Sequence, residues 1–416
     1  VVLVVGIIAA IILNFTRAKY RVTESIPLVN GTINYSLADL NIVSLYIDGV
    51  EAEELDSSKN YTLDTSKSAC TYKDGSAIDN LSISYDSETG GLSISPFTTK
   101  GTKCRLYFEE TVLVRDTLLA NYPTQLTRNS FTSTVTNTTS GTIYYADTSK
   151  GRTYYFAGNP SDNWLYFAGY YWRIIRINEG GTIRLIYQGN TSNTTGTATQ
   201  IQTGRFNSPY NDNMYVGYMY QSNGVHGLTS SSTIKGILDQ WYQNNLTSVA
   251  DKIDGNAGFC GDRQPSTSSS SSNGSGGTGT TTTYYGAYVR LYGNNKAPTF
   301  ECQNESDLYT TSGSEQGNKA LTYPIGLISL DEAWYAGGYT STNQSYYLYT
   351  NQDYWTMSPY WFDYGWAYVF IVHNTGHLNN AIIVNGTWGV RPVINLKADV
   401  TISSGDGTSS NPYIVN

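Results

Sequence analysis

Apolar and polar residues alternate through the first part of the chain, which is the pattern of β-strands with one buried face. Leu81, Ile83 and Tyr85 are separated by single serines, and a Gly-rich turn follows them. Residues 41–47 form another strand-like run, which ends at an Asp-Gly turn pair. We therefore predict a small β-sandwich over residues 18–112, which acts as a stalk.

A different mixture of elements is predicted for the rest of the chain. Residues 113–139 read as a linker with one short helix, which stops at Pro123. Strand patterns resume beyond the linker, for example at 171–177 and 182–187. A helix is predicted from Ser232 to Leu246, because a Ser or Thr cap precedes apolar residues at helical spacing. The predicted fold class is α+β, mainly β.

The densest group of aromatic residues lies between two strand patterns near the end of the chain. The first strand contains Trp355-Thr356-Met357-Ser358-Pro359, and the second is Gly389-Val390-Arg391-Pro392-Val393-Ile394. Seven aromatic rings occur in the eleven residues 360–370, more than one buried face accommodates. We interpret this surplus as a surface that displays side chains to a ligand.

These two strand motifs resemble the C-terminal part of bacterial surface proteins with the C-type-lectin-like fold, which formylglycine-generating enzymes share. Trp172-Arg173-Ile174-Ile175-Arg176-Ile177 and Tyr323-Pro324-Ile325-Gly326-Leu327-Ile328 add to the likeness. The resemblance implies a C-type-lectin-like domain over residues 140–398. In some members of that fold, retroelements diversify the segment between the last strands, which serves as a variable ligand-binding face. That segment corresponds here to Tyr360 to Trp388.

The expected ligand is a protein or a glycan on another surface. Aromatic side chains would stack on apolar or sugar-ring faces, and Asp, Asn and His would orient the ligand through hydrogen bonds. Arg391, next to Pro392, is expected to hold the fold through a buried pair rather than to contact the ligand. The expected ligand-binding residues are Tyr360, Trp361, Phe362, Asp363, Tyr364, Trp366, Tyr368, His373, Asn374, His377, Asn379 and Trp388.

The composition supports the recognition of sugars or proteins and argues against nucleic acid as a partner. Only 39% of the residues are hydrophobic and 14% are charged, whereas 37 are tyrosines. A Tyr-rich, Lys-poor surface suits the recognition of sugars or proteins, although extracellular β-proteins are often Tyr-rich for other reasons. The net charge of -8 argues against nucleic acid, which requires Lys and Arg opposite its phosphates.

An apolar segment begins the sequence as given. Residues 1–13 are apolar apart from Gly6, and the basic residues Arg17, Lys19 and Arg21 follow. Thirteen residues fall short of the ~20 that span a bilayer, so we predict a membrane anchor over residues 1–17 that is truncated at its start. A cleaved signal peptide and a pilin-like helix are the alternatives. The expected location is the extracellular face of the cell membrane.

Four cysteines form two candidate pairs. Cys70 and Cys104 lie in the first predicted β-region, and Cys260 and Cys302 lie in the second. Four cysteines allow three connectivities, and this one respects the predicted domain boundary. We predict two disulfides outside the cytoplasm, with buried free thiols as the alternative. A Ser/Gly/Thr-rich insertion at 266–283 lies inside the second loop, and residues 399–416 form a C-terminal tail that could add a strand.

Enzyme chemistry finds little support in the sequence. Formylglycine-generating enzymes use a cysteine pair in the C-terminal half, but no cysteine follows Cys302. The calcium signatures of C-type lectins and a G-x-S-x-G motif are absent too, so we expect no enzyme, metal or cofactor. The candidate acids and histidines that remain are Asp331, Glu332, Asp353, Asp363, His226, His373 and His377.

Three functions stay open at this point. The first is an adhesin-like, ligand-binding protein of a bacterial cell surface, with a face that varies between cells. The second is a structural subunit of a surface filament or envelope layer, in which the same aromatic residues would bury against a neighbour. A carbohydrate-active enzyme is the third. The sequence does not predict an oligomeric state.

Overall fold

The computed structural model confirms that the protein is α+β and mainly β, with 36% strand and 15% helix. The chain divides into two compact units between Leu113 and Val114. The predicted anchor, residues 1–17, lies outside the described residues. In the described part of the chain, no helix is long and apolar enough to cross a membrane. The structure describes residues 25–28, 31–34, 40–56, 59–86, 91–96, 102–111, 114–266, 276–292, 296–378 and 380–415.

The first unit consists of two sheets that share one core. One sheet has the strand order β1-β2-β8-β7, and the other has β4-β3-β9-β5 with β6 also paired to β9. Leu92 and Ile94 from the first sheet pack in one buried cluster with Leu106 and Phe108 from the second. The strands are β1 Ser25–Leu28, β2 Gly31–Asn34, β3 Leu40–Ile47, β4 Val50–Ala52, β5 Asn60–Leu63, β6 Ala69–Tyr72, β7 Ser82–Asp86, β8 Gly91–Ser95 and β9 Thr102–Thr111.

The second unit contains the remaining strands and all four described α-helices. Its α-helices are α1 Val114–Ala120, α2 Thr233–Asn245, α3 Gly286–Tyr292 and α4 Leu330–Tyr335. Its strands are β10 Thr124–Leu126, β11 Thr142–Thr148, β12 Gly151–Tyr155, β13 Trp164–Phe167, β14 Tyr170–Ile177, β15 Ile183–Gly189, β16 Gln202–Gly204, β17 Met219–Tyr220, β18 Ser230–Ser231, β19 Phe259–Cys260, β20 Thr283–Tyr284, β21 Leu308–Tyr309, β22 Tyr354–Asp363, β23 Trp366–Val372, β24 Asn380–Ile383, β25 Trp388–Val390, β26 Val393–Leu396, β27 Ile402–Ser404 and β28 Tyr413–Val415.

Two large sheets organise this unit. The nine-stranded sheet runs β10-β11-β12-β14-β13-β28-β27, with β15 joining β14 to β26, and the six-stranded sheet runs β16-β25-β22-β23-β24, with β20 on β22. The predicted strand pair became the antiparallel β14 and β15. The predicted helix is confirmed as α2, and its cap is Ser232, whose hydroxyl accepts a hydrogen bond from the Lys235 amide at 3.2 Å. The closing strand pattern forms β25 and β26.

The segments expected as linker and tail are built into the second unit. Within 113–139, α1 buries Leu118 in the main core, Tyr122 follows it there, and β10 pairs in parallel with β11. Within 399–416, β28 pairs in parallel with β13. The Tyr413 hydroxyl donates to the Tyr122 hydroxyl at 3.3 Å, which joins the two ends of the unit. Buried apolar residues explain why the expected linker packs into the unit, and β28 is the extra strand that the tail was expected to add.

Both predicted disulfides are confirmed. Cys70 pairs with Cys104 in the first unit, and Cys260 pairs with Cys302 in the second. No free cysteine is present in the described part of the chain. The second disulfide closes the loop that carries the Ser/Gly/Thr-rich insertion, of which residues 267–275 lie outside the described residues.

Buried ion pairs hold α4 and α3 in the second unit. Glu332 accepts from Arg184 at 2.5 Å and from Arg176 at 3.2 Å, and its backbone amide completes a capping box with Ser329. Asp331 accepts from Arg290 at 2.6 Å. These two acids therefore have cationic partners inside the core, which gives them a structural role.

Asp262 belongs to this ion-pair network, and the protonation of its carboxyl makes the stability of the fold depend on pH. Its carboxylate lies 2.7 Å from Arg290, which it shares with Asp331. Burial raises the pKa of the Asp262 carboxyl to about 6, against the pull of Arg290 and with a contribution from the charge on Asp331. Because the folded protein holds this proton more tightly than the unfolded chain, the proton stabilises the fold below about pH 4, and that contribution is lost as the pH rises through about 6.

Replacing Asp262 with asparagine should remove this pH dependence. We expect the unfolding free energy of the wild type to fall relative to that of Asp262→Asn, by about 2–3 kcal/mol between about pH 4 and pH 7. Urea unfolding at several pH values measures the difference. Asp399→Asn, at an exposed position, serves as control and should follow the wild type. Parallel curves for wild type and Asp262→Asn would contradict the prediction.

Candidate ligand-binding site

The aromatic segment forms a hairpin whose turn is unusual. Asp363 at the end of β22 lies opposite Trp366 at the start of β23, so the loop consists of Tyr364 and Gly365. Both loop residues have positive φ, 48° and 85°, as a type I′ turn requires. Folding alone favours Asn, Asp or Gly at such positions, and a bulky residue with positive φ is an outlier. The Tyr364 side chain is also 91% exposed, so no packing contact offsets the strain.

Exposed aromatic side chains gather at this turn. Of the five large apolar side chains that are exposed in the described residues, three are Tyr210, Tyr364 and Trp366, with exposed fractions of 37%, 91% and 45%. The Tyr210 carbonyl accepts a hydrogen bond from the Ala367 amide at 2.8 Å, which places Tyr210 beside the hairpin. We call Tyr210, Asp363, Tyr364 and Trp366 the tip surface. Clustered exposed apolar groups mark interaction sites more often than scattered ones.

A layer of packed aromatic rings supports the tip surface. Trp361 lies opposite Tyr368 with ring centroids 5.7 Å apart, and it stacks on Tyr360 at 4.9 Å. Tyr360 in turn contacts Tyr288 of α3 at 5.0 Å, and Tyr284 contacts Trp361 at the same distance. The rings of Tyr360, Trp361 and Tyr368 are half-buried. Much of the aromatic surplus is therefore used to fix the hairpin against α3.

Phe362 does not belong to the exposed face. Its side chain is fully buried and lies in the main core, opposite the buried Ala367. Successive side chains of a strand point to opposite faces, so Phe362 faces inward while Trp361 and Asp363 face away from the core. This corrects the expectation that Phe362 contacts a ligand.

Asp363 connects the hairpin to the Ser/Gly/Thr-rich insertion. Its carboxylate accepts hydrogen bonds from the Thr282 hydroxyl at 3.0 Å and from the Tyr364 amide at 2.9 Å. Asn213, which is buried, donates from its side chain to the carbonyls of Gly279 at 2.9 Å and Thr281 at 2.7 Å. The described end of the insertion is therefore held beside the tip surface.

His373 and His377, the two histidines expected to bind the ligand, lie at the other end of β23. They follow its last residue, so about six strand steps of 3.4 Å, roughly 20 Å, separate them from the tip surface. The rings of His373 and His377 stack at 4.2 Å, and both Nδ1 atoms lie within 2.9 Å of the Thr375 hydroxyl. Asp353 accepts from the Asn374 amide at 2.8 Å. Burial and the neighbouring His373 lower the pKa of His377 below its usual value.

The candidate residues therefore occupy separate places. The turn that contains His373, Asn374 and His377 is held by hydrogen bonds within the turn and to Asp353. Trp388 is half-buried in β25, opposite Gly204 of β16, on the far side of β22 from β23. Asn379 lies outside the described residues. Only Asp363, Tyr364 and Trp366 among the predicted residues form the tip surface, with Tyr360, Trp361 and Tyr368 behind them.

Arg391 has the structural role expected of it, but with different partners. It is fully buried and donates to the Tyr187 carbonyl at 2.9 Å and to the Gln188 side chain at 2.7 Å. Its guanidinium also lies 4.6 Å from the centroid of the Tyr354 ring. Two oxygen acceptors and an aromatic face thus serve as partners of the buried guanidinium where a single buried pair was expected.

Sequence reasoning missed Tyr210 of the tip surface. It lies more than 150 positions before Tyr364 in a polar run, Ser208-Pro209-Tyr210-Asn211-Asp212-Asn213, which reads as a turn. A single tyrosine in a turn gives no sign of its spatial neighbour. The signal that was available is the isolated large ring in an otherwise polar loop.

No family model, no curated protein and no solved structure matches the chain. Among the described residues, no group of three or more His, Cys, Asp or Glu side chains is arranged to hold a metal ion.

Proposed function

We propose that the protein is an adhesin-like, ligand-binding protein of a bacterial cell surface, and that the tip surface contacts the ligand. The observation that carries this proposal is Tyr364. A bulky aromatic side chain occupies a turn position that favours Asn or Gly, and almost all of it faces solvent. Local strain without a packing benefit points to a role outside folding.

The chemistry of the tip surface suits a protein or glycan ligand. Tyrosine and tryptophan provide large, rigid contact areas with a polar group at one end, and they lose little conformational entropy on binding. Asp363 adds a carboxylate that is already oriented by Thr282. The aromatic layer behind the hairpin pre-organises these groups, which lowers the entropic cost of binding.

We also propose the finer assignments that the sequence suggests. We place a C-type-lectin-like domain in the second unit, a β-sandwich stalk in the first, and a membrane anchor in residues 1–17. Two disulfides support an extracellular location, because disulfides persist in oxidising compartments. The tip residues make few packing contacts. The positions of the segment Tyr360 to Trp388 that belong to the tip surface can therefore differ between cells without loss of the fold.

A binding screen tests the proposal. The full chain, purified in a detergent without a sugar headgroup, is exposed to arrays of glycans and of host and bacterial surface proteins. We expect selective binding that is lost when Tyr364 and Trp366 are both replaced. Absence of binding, together with concentration-dependent self-association that the same replacements abolish, would favour the structural-subunit alternative. Sedimentation velocity measures the self-association.

A further inference from the structure

A cleft lies between α2 and the loop that follows β15, and no tip residue lines it. It consists of two cavities of about 330 and 440 Å³ that share Ile201 and Trp241 in their walls. Cavities of roughly 300–1,000 Å³ are typical of small-molecule sites.

Three aromatic rings form one wall of this cleft. Tyr170, Tyr187 and Trp241 line the first cavity, with ring centroids 5.4–5.7 Å apart in each pair. Trp241 also packs edge-on against the buried Trp172 at 6.2 Å, and the Tyr170 hydroxyl donates to Asn245 at 2.5 Å. The rings are therefore fixed in place, and the half-buried Tyr170 and Trp241 offer apolar surface of the size of a pyranose ring, with the buried Tyr187 behind them.

Most of the other side chains around the cleft are uncharged hydrogen-bonding groups, beside the apolar Ala198, Ile201 and Ile237. Amides and hydroxyls dominate, and none of the described residues that line either cavity is acidic or basic. Gln200 is only 8% exposed, and its Oε1 is covered by protein beside Gly389 of β25, so the accessible amides and hydroxyls around it supply the hydrogen-bonding groups of the cleft. The representative polar groups are Asn190, Thr194, Gln200, Gln202, Gln240 and Asn244.

Gly236 keeps the surface of α2 open beside the cleft. It lies inside α2, where glycine costs about 1 kcal/mol relative to alanine. A Cβ atom added to it would meet nothing within 4 Å, so neither packing nor backbone geometry requires glycine. Gly236 lines the second cavity, and the absence of a side chain leaves the helix backbone open to close approach.

We propose that this cleft binds a neutral oligosaccharide. Aromatic faces, amides and hydroxyls without charge match the hydroxyl groups and apolar ring faces of an uncharged sugar. An acidic saccharide would find no cation among the described lining residues to balance its charge. This site goes beyond the proposed function, because it is separate from the tip surface and does not depend on it.

Titration of the full chain with defined sugars tests the proposal. Cellotetraose, xylotetraose, N-acetylchitotriose and mannotriose are the neutral probes, and trigalacturonate is the charged probe. Tryptophan fluorescence and saturation-transfer NMR report binding in a sugar-free detergent. We expect at least one neutral probe to bind, at least tenfold more tightly than trigalacturonate. Failure of all four neutral probes, or tighter binding of trigalacturonate, would overturn the proposal.

Substitutions at Gly236 locate the site. Gly236→Phe fills the second cavity from an exposed position and should weaken binding of the neutral probe at least tenfold. Gly236→Ala should bind within a few-fold of wild type while unfolding at a higher temperature, and Gly313→Phe, which adds a ring at an open glycine outside the cleft, should bind as wild type does. Unchanged binding by Gly236→Phe, with its circular dichroism intact, would overturn the assignment.

A tip variant separates this inference from the proposed function. Tyr364→Asn with Trp366→Ala should retain binding of the neutral probe, since neither residue lines the cleft. Loss of sugar binding in that variant would move the saccharide site to the tip surface and overturn the cleft proposal. Retained sugar binding with lost adhesion would support both sites.

Discussion

Replacement of Glu332 by alanine should cost the second unit about 3–5 kcal/mol of unfolding free energy. Glu332 is almost fully buried and lies between Arg184 and Arg176, so its loss leaves the buried Arg184 without an acidic partner and Arg176 with only Glu179, at 3.9 Å. Burial already lowers the pKa of Arg184 to about 10 despite the carboxylate. The replacement also removes the hydrogen bond that Glu332 accepts from the Ser329 amide at 2.9 Å.

Chemical denaturation followed by tryptophan fluorescence measures this effect. All eight tryptophans lie beyond Val114, so the signal reports the second unit alone. Glu332→Gln keeps the shape and most of the cap and should lose most of the same free energy, which isolates the charge. Glu315→Ala, at an exposed position, should change stability by less than about 0.5 kcal/mol. A loss below about 1 kcal/mol in Glu332→Ala would show that the ion pairs do not hold α4.

The double replacement Tyr364→Asn with Trp366→Ala should weaken ligand binding by about 100-fold or more, because a few aromatic residues carry most of the energy of an interface. Stability should stay the same or rise. Asparagine tolerates the positive φ that strains tyrosine at 364, and neither exposed side chain contributes to the core. Binding should therefore fall without a loss of stability.

Titration of the ligand found in the binding screen, with a thermal melt of each variant, checks this pair of effects. Leu126→Ala is the matched control, since Leu126 is an exposed apolar residue outside the tip surface. It should leave the affinity unchanged. Tip variants that bind as well as wild type, or that lose binding only because they unfold, would refute the assignment of the tip surface.

The fold was predictable where the pattern was local. Alternation of apolar and polar residues predicts strands such as β7, and the capped 3.6-residue period from Ser232 predicts α2. The two disulfides followed from their positions within separate β-rich regions. Each of these features depends on neighbours in sequence or on a boundary visible in the composition.

The arrangement of the site was less predictable because it depends on long-range contacts. The density of candidate residues along the sequence groups Tyr364 with His373. The extended strand between them, however, places them at opposite ends of β23. The alternation of β22 buries Phe362, which a count of rings cannot reveal. Tyr210 lies beside the hairpin because its carbonyl accepts a hydrogen bond from the amide of Ala367, which is more than 150 residues further along the chain.

The most direct measurement is hydroxyl-radical footprinting of the wild-type chain with and without the ligand from the binding screen. Mass spectrometry then reports the oxidation of each aromatic side chain. We predict protection of Tyr210, Tyr364 and Trp366, with no change at His373 and His377. Unchanged oxidation at the tip surface together with protection elsewhere would contradict the proposed recognition site.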